Sequence, residues 1–197
     1  MHIGDLTLRA LNLEHRSFIC LYNFVNTEKF RPLHGISRDP FKLLYVGRLH
    51  PRKGLTELFL VLKELFQLNR DVSLELAGPY HEAFKAELIQ KIPVEYQTRI
   101  TFFGKVPHGE LPAIINSARL FVMPSRAEAF GLTAIEAMAC GTAVMLTNKA
   151  SGPEIVEEGR TGWLMDIKNP IDSANKINEL LHQQHLMDQV ASEGRSH

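Results

Sequence analysis

The sequence predicts an α/β chain in which a parallel sheet is covered by helices on both faces. Short apolar runs such as FKLLYV at 41–46 read as strands buried on both sides. Between such runs lie stretches with apolar residues three and four apart, the period of an amphipathic helix. The two patterns alternate, and Gly or Pro closes most of the strand runs. Strand, helix, strand at this spacing is the pattern of parallel strands joined by crossover helices.

Residues 4–13 fit a short helix and 17–22 (SFICLY) a strand. The stretch 26–40, with Arg31-Pro32 and Asp39-Pro40, is the one linker-like segment. Strand 41–46 is closed by Gly47, and helix 54–68 carries Leu55, Leu58, Phe59, Leu62, Leu65 and Phe66 on one face. Strand 72–77 (VSLELA) stops at Gly78-Pro79, a strong breaker. Helix 81–91 and strand 99–103 (RITFF) follow, ended by Gly104. Helix 111–118 leads to strand 120–123, ended by Pro124, and helix 132–140 is stopped by Gly141 at its C-cap. The remainder reads as strand 142–146, a short helix at 153–158, strand 162–165 and one or two helices over 170–191.

A chain of 197 residues with 45% hydrophobic content buries roughly 70% of its unfolded surface and needs no disulfide framework. The two cysteines, Cys20 and Cys140, form no CxxC or Cys/His cluster, so neither a secreted scaffold nor a structural zinc site is indicated. A reducing, cytoplasmic setting is expected. Residues 1–10 lack the apolar core of a signal peptide, and no stretch approaches the ~20 apolar residues that span a bilayer. Lys plus Arg (22) equals Asp plus Glu (22), which argues against nucleic acid as the main partner.

In open parallel sheets ligands bind beyond the carboxyl ends of the strands. The loop after 41–46, Gly47-Arg48-Leu49-His50-Pro51-Arg52-Lys53-Gly54, places Arg48, Arg52 and Lys53 at a helix entrance. Helix N-termini attract anions, and Arg and Lys clamp phosphate. A solvated basic loop has the same composition, but a Walker loop and a GxGxxG fingerprint are excluded. The loop after 120–123 is more informative. Glu128 lies there, Gly131 lets backbone approach a ligand, and a helix opens at Leu132 and Thr133. Glu136 falls among Ala134, Ile135, Ala137, Met138 and Ala139, where a carboxylate needs hydrogen-bond partners. A sugar diol or a structural Arg could supply them. Phe130 suits packing on a sugar or a place in the core. His182 and His185 share a helical face without a third ligand, and Cys140 has no base partner. His50 and His108 read as loop residues.

Gly47-Arg48-Leu49 with Lys53-Gly54, Glu128 and Glu136 in an E-x7-E pattern, Glu136-Ala137-Met138-Ala139 with Gly141, and Gly152-Pro153-Glu154 with Gly159 and Gly162 together resemble the donor-binding C-terminal domain of a GT-B glycosyltransferase of the retaining family 4 type. Residues 23–32 (NFVNTEKFRP) resemble that family's hinge-side segment, and the likeness runs from about Asn23 to Asp166. Phe24 and Ala129 stand where Gly is usual, and Arg119 where Asp commonly follows Ala.

The resemblance implies a Rossmann-like sheet, one half of a GT-B fold. It implies that Arg48 and Lys53 hold the donor diphosphate, aided by amides of Gly131, Leu132 and Thr133. Glu136 would bind the ribose, Glu128 would face the hexose at the reacting carbon, and backbone from Gly104 to Val106 would line the base. No metal or other cofactor is expected, because cations and a helix terminus neutralise the diphosphate. Residues 1–25 are then a hinge-side remnant and 26–197 the nucleotide-sugar-binding domain. The partner is an N-terminal acceptor-binding domain of a parent chain, without which this chain is inactive; membrane association of that parent is not encoded here. A non-catalytic nucleotide-binding or regulatory module and a GT-B sugar-nucleotide epimerase stay open as alternatives, the E-x7-E pattern favouring a transferase.

Overall fold

A computed structural model describes residues 23–197. The helix expected at 4–13, the strand expected at 17–22 and Cys20 lie outside the described residues. Six strands follow in chain order: β1 (Lys42–Val46), β2 (Ser73–Ala77), β3 (Ile100–Gly104), β4 (Leu120–Met123), β5 (Ala143–Thr147) and β6 (Trp163–Met165). The helices are α1 (Leu55–Leu68), α2 (Glu82–Ile89), α3 (Leu111–Ser117), α4 (Leu132–Ala139), α5 (Gly152–Ile155), α6 (Pro170–His182) and α7 (Gln184–Ser196). Single 3-10 segments at Pro51–Lys53 and Val94–Arg99 complete the set.

The strands form one parallel sheet in the order β3-β2-β1-β4-β5-β6. The chain builds outward from β1 to β3, then returns to lay β4 on the other side of β1. That reversal is a topological switch point, the place where such sheets open a crevice at their carboxyl edge.

Alternation along the apolar runs makes the two-faced core. Leu43 and Tyr45 of β1 join a cluster with α1, α6 and α7, while Leu44 and Val46 join a second with α3 and α4. On α1 the residues Leu55, Leu58, Phe59, Val61, Leu62, Leu65 and Phe66 are all buried, as the helical spacing requires. The stretch 170–191 is two helices, broken at Gln183, and the second continues to Ser196.

The segment 26–40 is irregular, yet it is packed down. Phe30 is 1% exposed and sits in the α3/α4 cluster. Asn116 of α3 fixes the segment, accepting from the Leu33 amide at 2.9 Å and donating to the Arg31 carbonyl at 3.0 Å. The departure at Arg119 also has a structural role. Its buried guanidinium donates to Asp188 Oδ1 at 2.6 Å and to the Gln184 carbonyl, tying the start of β4 to α7. Among the described residues no helix is long and apolar enough to cross a membrane.

Candidate functional site

The loops after β1 and β4 meet at the switch point. Gly54, which starts α1 at φ +70°, touches the Pro124 carbonyl so closely that any Cβ would collide with it. Glycine is therefore required twice there, for the left-handed backbone and for the approach. The Arg126 amide donates to the Arg52 carbonyl at 3.3 Å, and the Arg126 guanidinium pairs with Glu57 of α1. These contacts hold the basic loop and the Glu128 loop as one wall.

That wall and the start of α4 line a cleft of about 670 Å³. Arg48, Lys53, Glu128, Phe130, Gly131, Leu132 and Thr133, seven of the ten candidate residues, all line it. Lys53 Nζ donates to Glu128 Oε2 at 2.7 Å, with the side chains only 31% and 20% exposed. Arg48 is exposed at the mouth, and Tyr45 donates its hydroxyl to the Arg48 carbonyl at 3.1 Å from below. Burial, with Glu128 nearby, raises the Tyr45 pKa, so its hydroxyl stays a neutral donor. His50 caps the turn carrying Arg52 and Lys53, its Nδ1 accepting from the Arg52 amide at 3.2 Å.

The floor is the start of α4. Gly131 occupies its N-cap at φ +77°, with no side-chain cap. Leu132 and Thr133 follow in the first turn, where amides have no intrahelical acceptor. Cations on one wall and a helix N-terminus on the floor are groups that can bind a polyanion, with one carboxylate set against them. Phe130 is partly buried and stands between this cleft and an adjoining cavity of about 420 Å³, so neither a purely core role nor a purely open one fits it.

The other three candidates lie apart. Glu136, on α4, is 13% exposed and bonded to His108 Nε2 at 3.0 Å. Its partner is a histidine, not the arginine expected of a purely structural role. Gly104 ends β3 at φ +70°, and Val106 packs against the α3/α4 cluster; neither lines the cleft.

Residues 26–197 match the family model for glycosyl transferases group 1. The chain belongs to that family. It is 35% identical over 156 residues to a D-inositol 3-phosphate glycosyltransferase of Paenarthrobacter aurescens, covering 77% of this chain and 38% of that protein. This group 1 domain thus spans well under half of that relative. It superposes with TM-score 0.76 and 26% identity on the C-terminal domain of a group 1 protein, LpcC, from Francisella tularensis, over 88% of this chain and 95% of that one. A structure of Anabaena HepE in complex with UDP aligns at TM-score 0.71 and 25% identity, over 80% and 43%. The sheet with helices on both sides is the Rossmann-like half of a GT-B fold.

Two side chains weighed from the sequence fall outside the cleft of this group 1 domain. His182 donates Nδ1–H to the Asn178 carbonyl at 2.7 Å on the exposed side of α6. Cys140 is buried at the end of α4, and desolvation, with Glu136 nearby, pushes its thiol up to about 12. At pH 8 it is therefore protonated as well as shielded. Peptide mapping after iodoacetamide treatment should find Cys140 unmodified in the native chain at pH 8 and modified in denaturant.

Proposed function

We propose that this domain binds the donor of a retaining glycosyltransferase of the family 4 type, which moves a hexosyl group from a nucleotide diphosphate sugar to an acceptor. The observation that carries the reading is the 2.7 Å contact of Lys53 with Glu128 at the switch point. A cation and a carboxylate share one cleft, which supports assigning Lys53 to phosphate and Glu128 to the sugar. The HepE structure that it resembles holds UDP.

In this reading Arg48 and Lys53 take the diphosphate with the amides of Gly131, Leu132 and Thr133. Transfer breaks the bond between the anomeric carbon and the phosphate oxygen, which leaves with the electron pair, while the acceptor oxygen bonds to that carbon and gives its proton to the departing phosphate. Cations already in place stabilise the charge that develops there. A divalent metal is then not needed for donor binding. Glu128 faces the hexose, where it stabilises positive charge at the anomeric carbon, and Phe130 borders the sugar. Glu136 accepts from the ribose hydroxyls, and backbone at Gly104 and Val106 lies beside the base. The acceptor hydroxyl comes from a separate N-terminal domain, in keeping with the 95% coverage of a solved C-terminal domain.

Calorimetric titration of the 197-residue chain with UDP, GDP and ADP, each with and without EDTA, tests this. One nucleotide should bind, with affinity unchanged by EDTA, and the chain alone should transfer no sugar from the matching donor. Failure of all three to bind, or turnover by the chain alone, would overturn the reading.

A further inference from the structure

Three side chains far apart in sequence form a chain of contacts ending on Glu136. Lys29 Nζ lies 2.5 Å from His108 Nδ1, and His108 Nε2 lies 3.0 Å from Glu136 Oε1. Lys29 belongs to the packed segment 26–40, His108 to the loop between β3 and α3, and Glu136 to α4. The donor roles follow from chemistry. A lysine ammonium can only donate, so Nδ1 must accept, and the ring proton sits on Nε2 where it is given to the carboxylate.

The imidazole is also held from the side. Phe30 meets it edge-on with centroids 5.2 Å apart, and Lys29 lies 5.7 Å from the centroid of the same Phe30 ring. Phe30 itself is buried, so it cannot swing away. Asn26 fixes the turn that carries Lys29, its Oδ1 accepting from the amides of Glu28 and Lys29 at 3.0 and 3.1 Å. His108 is thus anchored on one side and supplies Glu136 with a donor on the other, although its own side chain is 59% exposed.

We propose that His108 is a positioning residue for nucleotide binding. Locked by Lys29 in its Nε2–H form, it holds one oxygen of Glu136 and turns the other toward the ribose. This rests on the reading of Glu136 as the ribose carboxylate. A carboxylate oxygen already bonded to a fixed donor loses less freedom when the diol arrives. The arrangement also joins the ribose carboxylate to the segment 26–40, so a shift of that segment reaches the nucleotide through one imidazole.

The test has a spectroscopic and a binding arm. Nitrogen-15 NMR of the side chains should show His108 as the Nε2–H tautomer in the native chain, with the preference lost in Lys29→Ala. Binding is then measured with UDP, GDP and ADP, each paired with its 2′,3′-dideoxy analogue. For the nucleotide that binds, His108→Ala should weaken the ribose form about fivefold, the scale of one partly exposed charge-assisted hydrogen bond. The dideoxy form should change less than about twofold, since nothing is left for Glu136 to hold. His108→Gln should restore binding, because its amide donates to Glu136 while its oxygen accepts from Lys29. Equal losses on both forms, or a native Nδ1–H tautomer, would overturn the proposal. If Glu136→Ala leaves the ribose form unaffected, the ribose reading falls and takes the proposal with it. If Glu136→Ala weakens that form and His108→Ala does not, the proposal alone falls.

Discussion

Arg48→Ala and Lys53→Ala should each weaken nucleoside diphosphate binding at least tenfold, measured by calorimetry at pH 7. A charge-assisted contact to phosphate is worth about 1.5 to 3 kcal/mol, which corresponds to roughly tenfold or more. The two variants should not be equal. Arg48 is exposed and its main chain is steadied by Tyr45, so its charge is free for the ligand. Lys53 is paired with Glu128 at 2.7 Å, and a diphosphate must compete for it. Its net contribution is smaller by whatever that pair is worth, and Arg48→Ala is expected to be the more damaging change. Both losses should shrink as salt screens the wild-type interaction. Unchanged affinity in both variants would remove the basic loop from the site.

Most of the sheet and its helices were legible in the sequence because each element satisfies its own local rule. From residue 43 to 46 the run is apolar and buried at every position because Leu43 and Tyr45 serve one cluster and Leu44 and Val46 the other. Helix α1 shows its period because one face is fully buried. Strand order was not legible, since nothing in the residues of β4 says that it pairs with β1 rather than with β3. The decisive contact inherits that gap. Lys53 and Glu128 are 75 positions apart and meet only because β4 lies beside β1. His108 read as loop material for the same reason. Its partners Lys29 and Glu136 are 79 and 28 positions away, and only the unusually apolar neighbourhood of Glu136 signalled that some donor had to exist. The stretch 26–40 read as a linker because Pro and polar residues dominate it, whereas the buried Phe30 ring, the Asn116 amide, the Arg38 guanidinium and the Asp39 amide all pin it.

The remaining prediction separates Glu128 from the binding residues. Glu128→Gln keeps the shape of the side chain and removes its charge, which releases Lys53 from the 2.7 Å pair. Nucleoside diphosphate affinity should therefore hold within about twofold, with any change in the direction of tighter binding, since an anion beside the phosphates opposes them. Turnover should behave oppositely. If the carboxylate faces the anomeric carbon, its interaction grows as that carbon gains positive charge and the phosphate departs. A neutral amide cannot follow that change. If, as proposed, an acceptor-binding half completes the enzyme, the kcat of that assembly should fall by ~10² or more while KM for the donor moves little, the pattern of an interaction made mainly in the transition state. Lys53→Ala gives the contrast, because its loss weakens donor and product alike and leaves Glu128 without a counter-charge. A Glu128→Gln enzyme that kept its rate would move the carboxylate out of the chemistry, and one that no longer bound the nucleoside diphosphate would make it a structural partner of Lys53.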